Sequence, residues 1–277
     1  MGLRAPPRAP RPCQEAALGR LVDRKEKTMS KKKAFIFYGG WEGHEPDLES
    51  ARFKRWLEED GFEVTRTDTF ERCADKEYMK SFDLIVPCWT QGEMPDWCCF
   101  GISEAVADGT GLAGVHGGMC DSFRWSVEWQ FMTGSQWVAH PGGSKYLHHI
   151  ARLDDATMQY MADNYPDNSI PGVFQMDYKV EFKKNSTSPI IAGLEDFTVH
   201  TEQYYLHVDP CIDVLATTRV DSLGWHETNG PVEMPVIYTK HWGKGRVFYS
   251  SLGHQDNILA IPQVETFTRR GLLWAAR

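Results

Sequence analysis

Three histidines stand beside glycines in Gly39-Gly40-Trp41-Glu42-Gly43-His44-Glu45, Gly114-Val115-His116-Gly117-Gly118 and Ser251-Leu252-Gly253-His254-Gln255-Asp256. Glycine lets the backbone approach a ligand closely. Imidazole titrates near neutrality and, when neutral, ligates divalent metals. A trio brought together can hold an ion such as Zn²⁺, or carry a proton to and from a carbonyl. His44, His116 and His254 are therefore the candidate metal ligands, with His116 and His254 also candidate catalytic groups.

The spacing Gly114-x-His116-x-Gly118 is that of a nucleophile elbow, the sharp strand-to-helix turn that presents a Ser or Cys in acyl-transfer enzymes. Here an imidazole stands in place of the thiol or hydroxyl. Cys120 or Ser122 would have to act from inside the following helix, so a thiol hydrolase is the weakest reading. Two other stretches combine aromatic faces with polar groups: Gly134 to Gly142, read as a loop carrying Trp137 and His140, and Thr201-Glu202-Gln203-Tyr204-Tyr205 near a strand end. Sugar rings offer apolar C–H faces and hydroxyl edges, which such surfaces suit. Trp41, Trp137, His140 and Tyr204 are the candidate substrate-binding residues. His148, His149 and His200 read as structural strand residues, and His226 and His241 as surface residues. The first loop matches neither a dinucleotide fingerprint nor a Walker loop.

Positioning the three histidines requires a sheet whose strand ends share one edge. Ala34–Tyr38 is a continuous apolar run, as a buried parallel strand requires. Helix over about 47–60, strand 62–65, strand 84–86, helix 96–108, strand 112–115 and helix about 120–132 follow. This alternation implies right-handed βαβ units and an α/β fold with a mainly parallel sheet and helices on both faces. The second half is β-rich, with strand signals at 178–182, 197–207, 212–218, 235–239 and 246–251, then a helix at 263–275. Ligands bind at the carboxyl edge of such sheets, which is where the three histidines fall.

With 277 residues, 42% hydrophobic and 25% charged, the chain can build a core without disulfide or metal staples. No apolar run is long enough to span a membrane. Residues 1–33 hold ten Lys/Arg and three Asp/Glu, a net +7, so the rest carries 20 basic and 35 acidic residues, a net −15. An acidic body is a poor partner for a phosphate backbone, so no nucleic-acid or membrane partner is expected. A small sugar is the expected substrate, and a homo-oligomer is compatible with the composition. The Pro- and Arg-rich segment 1–32 reads as a disordered basic extension, with Met29 as the expected initiator, and 33–277 as the folded domain. Seven cysteines without C-x-x-C spacing read as reduced thiols of a cytoplasmic protein.

Taken in order, Gly43-His44-Glu45, Gly114–Gly118, Trp137–Pro141, Thr201–Tyr204, Gly243–Tyr249 running into Gly253-His254, and Gly271–Ala275 resemble the ThuA-like family of trehalose utilisation, within the class I glutamine amidotransferase-like superfamily. The resemblance covers about residues 33–277. It implies a flavodoxin-like fold, a role in carbohydrate metabolism on a sugar or 3-keto-sugar, and no glutaminase activity, since the elbow lacks Cys. It also implies that Glu202 joins the histidines in the cleft, as base to a histidine acid. Thr201 departs from the family pattern, which has an acidic residue before this glutamate. The alternative reading is a non-catalytic sugar-binding or regulatory module on a degenerate amidotransferase scaffold.

Overall fold

A computed structural model describes residues 2, 31–141, 156, 159, 163, 175–221 and 230–277. The chain divides into two units, Met1–Ser30 and Lys31–Arg277, and the second holds everything described below. The expected disordered extension, the Met29 start, His148, His149 and His226 lie outside the described residues.

Among the described residues, nine strands form one sheet in the order β2-β1-β3-β4-β11-β10-β9-β6-β7. Strands β1 (Lys33–Gly40), β2 (Glu63–Thr67), β3 (Leu84–Thr90), β4 (Gly111–Val115) and β11 (Gly245–Ser250) run parallel. Strands β6 (Gln175–Phe182), β7 (Phe197–Glu202), β9 (Asp213–Val220) and β10 (Val232–Trp242) extend the sheet antiparallel from β11. The β-rich second half thus joins the same sheet. The first four strands follow the flavodoxin-like order 2-1-3-4, with β11 in the fifth place, so the chain's switch point lies between β1 and β3.

Alternation along β1 sends Ala34 and Ile36 into one core layer and Phe35 and Phe37 into the other. Helices α1 (Pro46–Glu59) and the C-terminal Pro262–Ala275 cover the first face. Helices α2 (Lys76–Lys80), α3 (Asp96–Asp108) and α5 (Val127–Thr133) lie on the second, with Met79, Ile102, Val106 and Trp129 fully buried. No described helix is long and apolar enough to cross a membrane.

Two local expectations are corrected. The stretch 120–132 is not one helix: the short helix α4 (Gly117–Cys120) ends at Asp121, an irregular turn follows, and α5 begins after Ser126, whose Oγ accepts from Trp129 N. Phe123 sits at φ 46°, which no helix allows. The stretch after Gly134 is not all loop: β5 (Ser135–Ala139) pairs with β8 (Tyr205–Val208) in a separate two-stranded ribbon, and the strand expected over 197–207 is split into β7 and β8.

Candidate metal centre

All three loop histidines reach the carboxyl edge of the parallel strands. His44 ends a 3-10 turn after β1, His116 follows β4 and His254 follows β11. Their rings sit close: centroids are 4.7 Å apart for His44–His116, 5.1 Å for His44–His254 and 5.4 Å for His116–His254. Glu202, the last residue of β7, completes the group. One ligating atom from each of His44, His116, Glu202 and His254 lies within 4.8 Å of the others, and all four side chains are buried.

The backbone around the cluster is strained. Among the described residues, Glu45, Gln91, His116 and Phe123 are the non-glycine positions with positive φ: Gln91 and His116 directly follow β3 and β4, Glu45 the 3-10 turn after β1, and Phe123 the short helix after β4. Such conformations persist where the surrounding structure enforces them, and they gather at functional sites. His116 at φ 46°, ψ −139° is the elbow residue, held by its N–H to Ser250 O at 2.6 Å and by Tyr249 Oη donating to its carbonyl at 3.2 Å. Gly117 is obligatory: a Cβ there would stand 2.5 Å from His44 Cε1.

Hydrogen bonds fix which imidazole nitrogens face inward. His116 Nδ1 lies 2.7 Å from Ser251 O, a carbonyl that can only accept, so Nδ1 carries the proton. Burial lowers the His116 pKa to about 3, with Glu202 opposing, so the ring is neutral and Nε2 presents a lone pair. That lone pair faces Glu202 Oε2 at 3.1 Å. His44 Nδ1 is bound to Thr90 Oγ1 at 2.8 Å, aiming Nε2 at the same oxygen across 3.8 Å. Burial likewise lowers the His44 pKa. His254 Nδ1 lies 3.1 Å from Glu202 Oε2 yet is buried without an aligned hydrogen-bond partner. Burial pushes the Glu202 carboxyl up, but its four histidine neighbours outweigh that and hold it well below the usual range. One carboxylate oxygen cannot satisfy four imidazoles. Lone pairs aimed at a carboxylate across about 3 Å suit a cation between them, and three imidazoles with a carboxylate form a donor set appropriate to Zn²⁺ or a similar divalent ion.

His140, expected at the substrate, belongs to this group too: its Nε2 is 3.1 Å from Glu202 Oε2, and it is less buried than the other three. Tyr204 is not an open sugar surface. It is buried and stacks under His116 at 3.9 Å and 25°, supporting the imidazole. Trp137 is also largely buried, 4.9 Å from the His140 ring, with an indole N–H lacking an acceptor. Trp41 is 46% exposed and meets His44 edge-on at 4.7 Å, so it forms the open rim. His200 pairs with Asp177, exposed on β7, and is not one of the four converging ligand residues. Cys120 is no nucleophile: burial raises its pKa to about 12, and its sulfur bonds Ser135 Oγ at 2.8 Å.

Sequence reading missed two supports. Arg124 pairs doubly with Asp121, at 2.6 and 2.7 Å, and lies over the Trp137 ring at 4.9 Å. Both residues fall in the segment read as continuous helix, where their convergence has no signature. Arg52 of α1 grips Asp256 through Nε and Nη2, and Asp256 N donates to Glu45 Oε2 at 3.1 Å. This bridge ties the loop of His44 to the loop of His254.

Solved structures share the fold. A ThuA-like protein from Parabacteroides merdae ATCC 43184 is 18% identical, covering 88% of this chain and 89% of its own, with a TM-score of 0.60. Another, from Bacteroides uniformis ATCC 8492, is 16% identical over 92% of this chain and 94% of its own, at 0.57. A cytoplasmic protein from Salmonella typhimurium LT2 is 14% identical over 88% and 100%, at 0.50. No curated protein matches the sequence. The profile of the ThuA family, described as trehalose utilisation, matches residues 33–275, and the chain belongs to that family.

Proposed function

We propose that the chain is an enzyme of sugar breakdown, acting on a sugar or 3-keto-sugar derivative at the His44–His116–Glu202–His254 cluster with a divalent ion such as Zn²⁺ as cofactor. The observation that carries this reading is the convergence of three imidazole nitrogens and one carboxylate oxygen, all buried, on a space within 4.8 Å. A bound ion of this kind polarises a carbonyl oxygen and acidifies a bound water.

The chain's own residues have separate tasks. His44, His116 and His254 hold the ion, each oriented by its loop. Glu202 is kept ionised by its neighbours and offsets the ion's charge, a role better matched to its lowered pKa than proton abstraction. His140, on the more open side and 3.1 Å from Glu202, is the group placed to give or take a proton at the substrate. Trp41 forms the rim against which a sugar face can lie. A cytoplasmic setting is part of the proposal, supported by six unpaired thiols among the described residues and by the named setting of the Salmonella protein.

The test is turnover of a 3-keto-glucoside by Zn²⁺-loaded protein, with His116→Ala alongside. The reading requires turnover in the natural chain and a loss of about 10²-fold or more in the variant, as for removal of a positioned catalytic group. Binding of the sugar without turnover by either protein would favour the non-catalytic module.

A further inference from the structure

Nine large apolar side chains are exposed among the described residues, and six of them lie on one face: Trp97, Phe100, Trp125, Val127, Phe131 and Val208. Trp97 and Phe100 are one turn apart on α3, and Val127 and Phe131 one turn apart on α5. The two helices are joined side by side by Cys99 Sγ to Ser126 Oγ at 3.4 Å and by Ser103 donating to Glu128. Trp125 precedes Ser126 at that seam. Beyond α5 the face continues into a groove of about 310 Å³ between Val127, Phe131 and Val208.

The face lies at the upper end of what a monomer leaves exposed. Trp97 and Trp125 are 67% and 71% exposed, and Phe100 and Phe131 each just over half. At about 200 Å² per ring, the four aromatics alone leave roughly 500 Å² of apolar surface in water. The largest apolar patch on an ordinary monomer spans about 300–600 Å² in all. Adding the two valines and the groove walls brings the face towards the roughly 800 Å² per partner that a stable interface buries.

We infer that this face is the contact between two copies of the chain, related by a two-fold axis. An isologous interface needs projecting and receiving features on the same surface, because each copy must fit the other. This face has both: the projecting rings of Trp97 and Trp125, and the apolar groove beside Phe131. Trp125 adjoins Arg124, which lies over Trp137 in the cleft, so the second copy sits one residue from the wall of the candidate site. The inference does not depend on the proposed chemistry.

Sedimentation velocity on the full chain, from about 1 to 50 µM, tests it. The expected result is a species of twice the 31.6 kDa chain mass. Phe131→Glu and Trp97→Glu change exposed positions, so far-UV circular dichroism and Tm should stay at the natural values, while the dimer dissociation constant rises by at least about 30-fold, as for loss of a hot-spot residue. Leu273→Glu, on the opposite face of the sheet, should leave the dimer intact. A natural chain that stays monomeric at 50 µM would overturn the inference. So would an assembly that persists undiminished in both face variants, or that Leu273→Glu alone disperses.

Discussion

His116 Nε2 stands 3.1 Å from Glu202 Oε2, although the two residues are 86 positions apart and come from the parallel and antiparallel halves of the sheet. The contact sets a neutral imidazole lone pair against an ionised carboxylate. If a cation resolves that opposition, Glu202→Gln, which keeps the shape and removes the charge, should weaken Zn²⁺ binding by about 100-fold. Competition against a chromogenic chelator measures this. An unchanged affinity would remove Glu202 from the centre.

The sheet edge was legible in the sequence because it rests on local signals. Apolar runs such as Ala34–Tyr38 mark buried strands, and a polar Gly/His cluster after each marks the carboxyl end. Order and spacing then brought His44, His116 and His254 together without any knowledge of their distances. Tyr204 was placed near the site but as an open substrate surface, since nothing local distinguishes a ring that faces substrate from one that stacks under an imidazole. Arg124 and Arg52 were invisible. Their value comes from pairing with Asp121 across an irregular turn and with Asp256 across 204 residues, which periodicity does not encode.

The Arg52–Asp256–Glu45 bridge acts on the centre at one remove. Arg52→Met keeps much of the side-chain volume but frees the loop of His254 from that of His44. Zn²⁺ affinity is expected to fall by about 10-fold, in the range seen for groups that orient ligands, with a Tm change of only a few degrees. Isothermal titration alongside thermal melting separates the two effects. A large Tm loss with unaltered affinity would make the bridge purely structural.

Glu49 gives a pH-dependent prediction away from the centre. It is fully buried in α1, its Oε1 has no hydrogen-bond partner, and burial, aided by Asp256, raises its pKa well above the usual carboxyl value. The folded state therefore binds a proton that the unfolded state releases above about pH 4.5, so this group's contribution to stability falls as pH rises above that value. Glu49→Gln mimics the neutral acid. It should raise Tm by at least about 2 °C at pH 8, with the gain vanishing at pH 4 to 4.5. An equal gain at both pH values would show that titration is not the cause.

Thiol chemistry should be absent. Of the six described cysteines only Cys211 is exposed. Iodoacetamide on the native protein should label Cys211 and spare Cys73, Cys88, Cys98, Cys99 and Cys120, leaving Zn²⁺ binding unchanged, as peptide mass mapping will show. Rapid labelling of Cys120 would contradict the burial that raises its pKa.

If the buried histidine–glutamate cluster is a metal centre, the protein should carry its ion through purification. Elemental analysis of protein purified without chelators or a histidine tag should find close to one equivalent of a divalent first-row metal per chain, lost in His116→Ala while the circular dichroism of the fold is retained. A folded natural chain that carries no such metal, and takes up none when titrated with Zn²⁺, would contradict that assignment.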